Sequence, residues 1–187
     1  AYEKRGVAVS VPEWMYKCIQ CNQCAYVCPH ATIRPFAFSA EEVAAAPAAL
    51  KVKPMTGKGC ENYQFGMTVS PLDCRLRRLL DVCPAPGKAL KMMPQEASLA
   101  QQEVFDYAVA NVGKKEGMMA ETTVKGSQFN QPLLEFSGSC ALPETSYARL
   151  ITQLYGERMY ISNATGCSVH LGRPGRNVPD TRNRLSG

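Results

Sequence analysis

The sequence predicts an α+β chain in two parts. A small domain organised by cysteines occupies residues 1–94, and an α/β domain opens at residue 125, with 95–124 as a linker between them. Three observations carry that prediction. A tight cysteine run spans Cys18 to Pro29, a second cysteine-proline step stands at Cys83-Pro84, and from Lys125 helix and strand signals alternate.

The run Cys18-Ile19-Gln20-Cys21-Asn22-Gln23-Cys24-Ala25-Tyr26-Val27-Cys28-Pro29 has the spacing C-x2-C-x2-C-x3-C-P. This is the bacterial iron-sulfur pattern, in which three close thiolates wrap one [4Fe-4S] cube and the fourth reaches another. Two intervening residues let the chain curl so that successive sulfurs meet successive irons, and Pro29 stiffens the exit. A structural zinc site pairs C-x2-C knuckles across a longer stretch and closes them on one tetrahedral ion. Three cysteines packed this closely fit that arrangement poorly. Buried cysteines can also be ordinary small core residues, but four at this spacing speak against it.

Length and composition narrow the class. At 187 residues the chain is long enough for a substantial core. Nine cysteines, an odd number clustered at metal spacings and without a signal peptide, argue for a reducing compartment, hence a cytoplasmic location, over a disulfide framework. The apolar stretch 43–50 is short and broken by Pro47, so no bilayer span is expected. The net charge of +5 owes much to Arg173, Arg176, Arg182 and Arg184, which have no aromatic partners and are too sparse for nucleic-acid binding.

Taken in order, the chain opens on a segment entering from elsewhere, in which Val7, Val9 and Val11 alternate as a strand would. Trp14 stands close enough to the cysteine loop to act as a hydrophobic lid, with ordinary core packing the alternative. His30 to Pro35 turns into a short strand. Residues 37–70 form a spacer holding a helix over 40–46, capped by Ser39, a turn at 57–59 and a strand at 65–69. Cys60 lies off every motif and reads as structural. Lys88 to Met92 mirrors the strand after Pro29, residues 98–109 form a helix with a weak apolar face, and 144–155 form another. Met159 to Ile161 is a strand candidate ending in a small-residue turn, Asn163 to Cys167. That geometry suits either a cofactor approach or a plain tight connection.

With these motifs in hand, the chain resembles pyruvate:ferredoxin (flavodoxin) oxidoreductase, a large thiamine-diphosphate enzyme with an inserted two-cluster ferredoxin domain. The resemblance runs from Ala1 to about Cys167, most specifically at Cys18 to Pro29, Lys125 to Phe129, Phe136 to Cys140, Ile151 to Met159 and Asn163 to Ser168. It implies a ferredoxin-like two-cluster [4Fe-4S] domain followed by an incomplete α/β thiamine-diphosphate-binding domain. It further implies that Cys18, Cys21, Cys24 and Cys83 hold one [4Fe-4S] cluster, that Cys28 and Cys74 belong to a second, and that Cys140 and Cys167 belong to a third beside the thiamine. Glu144 matches the glutamate that hydrogen-bonds the thiamine ring. The implied role is relay of electrons from the thiamine adduct to ferredoxin or flavodoxin as pyruvate becomes acetyl-CoA, in a homo-oligomeric parent that also carries magnesium. The remaining thiamine and magnesium ligands would lie outside these residues, so the chain is not expected to be active alone, and exposed apolar surface is expected beyond residue 125.

The departures are specific. Where the family has two more cysteines, this chain reads Arg75-Leu76-Arg77-Arg78-Leu79-Leu80, one residue fewer than in the first motif. It reads Cys140-Ala141-Leu142-Pro143-Glu144 for Cys-x-x-Cys-Gly-Glu, and Ser168-Val169-His170-Leu171-Gly172-Arg173 for Ser-Ser-Ile-Trp-Gly-Gly. A one-base displacement converts Gly-Cys-Gly codons to the Arg-Leu-Arg of 75–77, and another yields 169–173, which points to local frameshifts in the gene or its recorded sequence. Resequencing codons 70–185 tests this. As written, only the first cluster has four ligands, and about four iron per chain are expected. The rival readings are a stand-alone ferredoxin-like carrier and a degenerate or structural fragment. His30 and His170 are turn or surface residues rather than catalysts.

Overall fold

The computed structural model describes residues 6–74, 80–130 and 144–155. Two antiparallel sheets carry the α+β architecture. The first pairs β1 (Ser10–Trp14) with β5 (Leu90–Pro94), placing Trp14 opposite Leu90. The second has the order β2-β4-β3, with β2 (Ile33–Phe38) and β4 (Gln64–Val69) in full register and β3 (Lys53–Pro54) at the edge. The alternation at Val7 and Val9 is not realised as a strand, and both side chains are exposed. The ladder stops at Gln95 N–H on the Val9 carbonyl, because the partner chain turns there into a 3-10 turn, Glu96–Ser98.

Strand β2 is buried along its whole length and so serves two cores. Ile33 and Ala37 pack with Phe65, Met67 and Val69 of β4 and with the cysteine loop. Phe36 and Phe38 face the other way, against Ala108 and Val112. Gly66, opposite Phe36, admits this packing because a Cβ there would lie 2.6 Å from Phe38 Cε2.

The short helices follow local signals. Helix α1 (Gln23–Val27) starts from Asn22, and α2 (Ala40–Ala44) carries a full capping box between Ser39 and Glu42. Helix α3 (Ala100–Asn111) corrects the reading of 95–124 as a linker or surface arm. It seats Val104, Phe105 and Ala108 in the core, with the Arg34 guanidinium 5.1 Å from the Phe105 ring centroid. The Tyr107 hydroxyl donates to the Glu42 carbonyl at 2.7 Å, and Lys115 pairs with the Glu42 carboxylate at 2.6 Å. Its apolar stripe is narrow because it needs only to fill the groove over Phe36 and Phe38.

Helix α4 (Val124–Ser127) is capped by the Thr123 hydroxyl, and Gly126 sits where a Cβ would fall 2.0 Å from the Ala120 carbonyl oxygen. Helix α5 (Glu144–Tyr155) matches the expected bounds. It exposes Tyr147, Leu150, Ile151, Leu154 and Tyr155, the apolar surface anticipated beyond residue 125. Among the described residues no helix is long and apolar enough to cross a membrane.

Candidate metal centre

The cysteine loop is shaped by backbone that side chains rarely adopt. Gln20 and Asn22 both have φ near 59°, in the left-handed region, and Lys88 beside the second cysteine segment has φ 54°. These turns aim amide hydrogens at sulfur. Gln20 N–H donates to Cys18 Sγ at 3.3 Å, and Ala89 N–H donates to Cys83 Sγ at 3.2 Å.

Side chains brace the loop from outside. Gln20, fully buried, donates from Nε2 to the Pro54 carbonyl at 2.8 Å and accepts at Oε1 from Thr56 N–H (2.9 Å) and Thr56 Oγ1 (3.0 Å). Asn22 Nδ2 donates to the Lys125 carbonyl at 2.8 Å, and Lys125 Nζ donates back to the Thr56 carbonyl at 2.8 Å. Lys53 and Lys88 hold the carbonyls of Cys18 and Cys83 at 2.8 and 2.9 Å. The sequence reading missed Gln20, Asn22 and Thr56; the only sequence trace of the first two was their place between ligands.

The result is one cavity lined by Cys18, Cys21 and Cys24 from the loop, by Cys83 from a segment almost sixty residues on, and by Trp14 and Leu90 of the β1-β5 sheet. Burial pushes the Cys24 thiol well above the ordinary thiol range, and the neighbouring Cys18 sulfur adds to the rise, with Cys21 and Cys83 contributing less. Such crowding disfavours thiolates unless a cationic group sits among them. Among the described residues no three His, Cys, Asp or Glu side chains close on a point as ligands of a single ion would. The four cysteines instead line one small cavity, and four thiols are the donor number of a cube with one iron at each corner. On the outer side of Cys21 runs an open groove of about 630 Å³, whose exposed apolar residues include Ile19, Tyr26, Val27 and Val124.

Cys28 and Cys74 lie elsewhere, both fully buried. Cys28 Sγ is 3.4 Å from Thr32 Oγ1, the Thr32 carbonyl accepts from Ser70 N–H at 2.8 Å, and the Ser70 carbonyl accepts from Cys74 N–H at 3.1 Å. That chain of bonds holds the two thiols at the same end of β2 and β4. Cys140, Cys167, Arg75, Arg77, Arg78 and the Met159 to Ile161 strand fall outside the described residues, and Glu144 is described only as the first residue of α5. Cys60 is buried with Sγ 3.4 Å from the Met118 carbonyl oxygen, a packing role. His30 lies in the turn after Cys28, one of the two places read for it, with its side chain buried and not at the surface.

Residues 13–34 match the family model described as a 4Fe-4S binding domain. Over 98% of its length the chain is 51% identical to a pyruvate-flavodoxin oxidoreductase of Klebsiella pneumoniae and 48% identical to a pyruvate:ferredoxin oxidoreductase of Moorella thermoacetica, covering 16% of each. It is also 46% identical to a pyruvate dehydrogenase [NADP(+)] of Cryptosporidium parvum, covering 10% of it. The chain therefore spans about a sixth of the length of the curated relatives that it matches first. Along nearly its whole length, this cysteine-organised chain matches a segment of the pyruvate-flavodoxin and pyruvate:ferredoxin oxidoreductases, and its cysteine loop lies within the residues that match a 4Fe-4S binding domain.

Proposed function

We propose that this chain is the electron-relay segment of a 2-oxoacid oxidoreductase, with Cys18, Cys21, Cys24 and Cys83 as ligands of one [4Fe-4S] cluster. The observation that carries the reading is the meeting of four thiols, from two distant segments, around one cavity with backbone N–H donors already on two sulfurs. When bound, a [4Fe-4S] cluster supplies a one-electron store whose potential follows burial and hydrogen bonds to sulfur. Gln20 and Ala89 N–H offset thiolate charge, Trp14 and Leu90 keep water out, and the Gln20-Thr56 and Asn22-Lys125 bonds hold the loop in its left-handed turns.

The finer assignments belong to the same proposal. Cys28 and Cys74 contribute to a second cluster, while Cys140, Cys167 and Glu144 contribute to a third cluster and a thiamine-diphosphate and magnesium site completed by residues outside this chain. Residues 125–187 begin that thiamine-binding domain. Pyruvate is the substrate proposed for the whole assembly, with ferredoxin or flavodoxin as acceptor, a homo-oligomeric parent and a cytoplasmic location; the relatives' names support the first two.

Air-free purification and spectra before and after dithionite test the proposal. A brown chain that bleaches, holds about four iron and loses its colour on Cys83→Ser supports it, since one cube needs four irons and that ligand. A colourless chain, or a chromophore indifferent to Cys83→Ser, overturns it.

A further inference from the structure

We propose that Trp14 donates its indole N–H to a sulfur of the cluster held by Cys18, Cys21, Cys24 and Cys83, and so raises that cluster's reduction potential. The inference rests on the ligand assignment above. It starts from an orphan: Trp14 is 4% exposed, and its Nε1 is buried with no hydrogen-bond partner among the described residues. Buried polar groups are nearly always paired, so an unpaired donor in a core asks what acceptor belongs there.

The surroundings answer by elimination. Trp14 ends β1 opposite Leu90, and its ring packs at 5.7 Å from Tyr16 and 6.0 Å from Phe65, both centroid distances. Phe65 is in turn wedged edge-on against Phe129. Thus held, the indole lines the cavity whose other side-chain acceptors are the four sulfurs and Asn22 Oδ1. The Asn22 oxygen is itself buried and unpaired while its Nδ2 is committed to the Lys125 carbonyl. A water bridging the indole to Asn22 is therefore the rival arrangement.

The consequence differs from that of the two backbone donors. Gln20 N–H and Ala89 N–H already serve Cys18 and Cys83, and no substitution other than proline removes them. An indole donor can be deleted with the ring retained. A hydrogen bond to sulfur favours the reduced cluster, which carries more negative charge, over the oxidised one.

Trp14 is the only tryptophan in the chain, so labelling with ¹⁵N-indole tryptophan marks this one atom. In the full chain, purified without air and reduced with dithionite, pulsed electron paramagnetic resonance is expected to resolve a ¹⁵N coupling to the cluster. Trp14→Phe, at equal iron content, is expected to lower the reduced-to-oxidised ratio at a fixed potential by about threefold or more, a potential shift read through the one-electron Nernst relation. A clear cluster signal without the ¹⁵N coupling, the result expected of a bridging water, overturns the proposal and leaves the ligand assignment standing. An unchanged ratio in Trp14→Phe overturns it equally. A sample with neither iron nor a reduced signal removes the ligand assignment, and this proposal falls with it.

Discussion

Replacing Gln20 by leucine tests whether the loop's left-handed turns are held by the end of β3 and the residues just after it. Leucine approximates the volume, and both residues carry the same backbone strain at φ 59°, so neither packing nor strain dominates the difference. What is lost is three hydrogen bonds, to the Pro54 carbonyl and to the Thr56 N–H and hydroxyl. At about 0.5–1.5 kcal/mol net each they sum to about 1.5–4.5 kcal/mol. Pro54 and Thr56 are exposed and can turn to water, which places the expectation in the lower half, about 2 kcal/mol. Urea unfolding without air at matched iron content should show an earlier midpoint with an unchanged slope, the signature of a pure stability loss. Thr56→Val, which removes only the hydroxyl bond to Gln20 and a longer contact from Lys125, should cost about 1 kcal/mol. In the Gln20→Leu background it should cost much less, because contacting partners are not additive. A midpoint unmoved by Gln20→Leu, or full additivity of the two, would refute the clamp.

Further expectations follow from other contacts. Gly66→Ala forces a methyl to 2.6 Å from Phe38 Cε2 and should destabilise by about 1–3 kcal/mol in the same unfolding assay. Ser39→Ala removes one half of the capping box of α2 and should cost about 1 kcal/mol, read as a lower melting temperature. Burial raises the Cys60 thiol, so at a given pH less thiolate is present, and the thiolate is the nucleophile. Peptide mapping after iodoacetamide treatment should find Cys60 unmodified in the folded chain near neutral pH and modified once it is unfolded, with labelling rising only at higher pH than for an ordinary thiol; native labelling at a free-thiol rate contradicts this.

How much could be seen beforehand depended on the range of the interaction. The capping box needs only Ser39 and Glu42, three residues apart, and α2 appears with its cap where expected. The bounds of α5, again a matter of local pattern, are as read. Helix α3 is legible in the sequence as a helix but not as part of the core, since its few apolar residues matter only once Phe36 and Phe38 are there to receive them. The extended alternation at Val7 and Val9 failed because a strand needs a partner, and that partner turns away after Pro94.

The sequence by itself determined the sulfur spacing of the first loop, because wrapping a cube is a matter of how a few consecutive residues can curl, and its similarity to known oxidoreductases places the whole chain beside them. Only the tertiary structure decided what surrounds the sulfurs. The Asn22 side chain meets the Lys125 carbonyl across 103 residues, Gln20 meets Thr56 across 36, and the Trp14 indole is left unpaired in the cavity wall. No local pattern encodes such contacts, since they exist only after the two sheets and the helices have packed and removed water from between them.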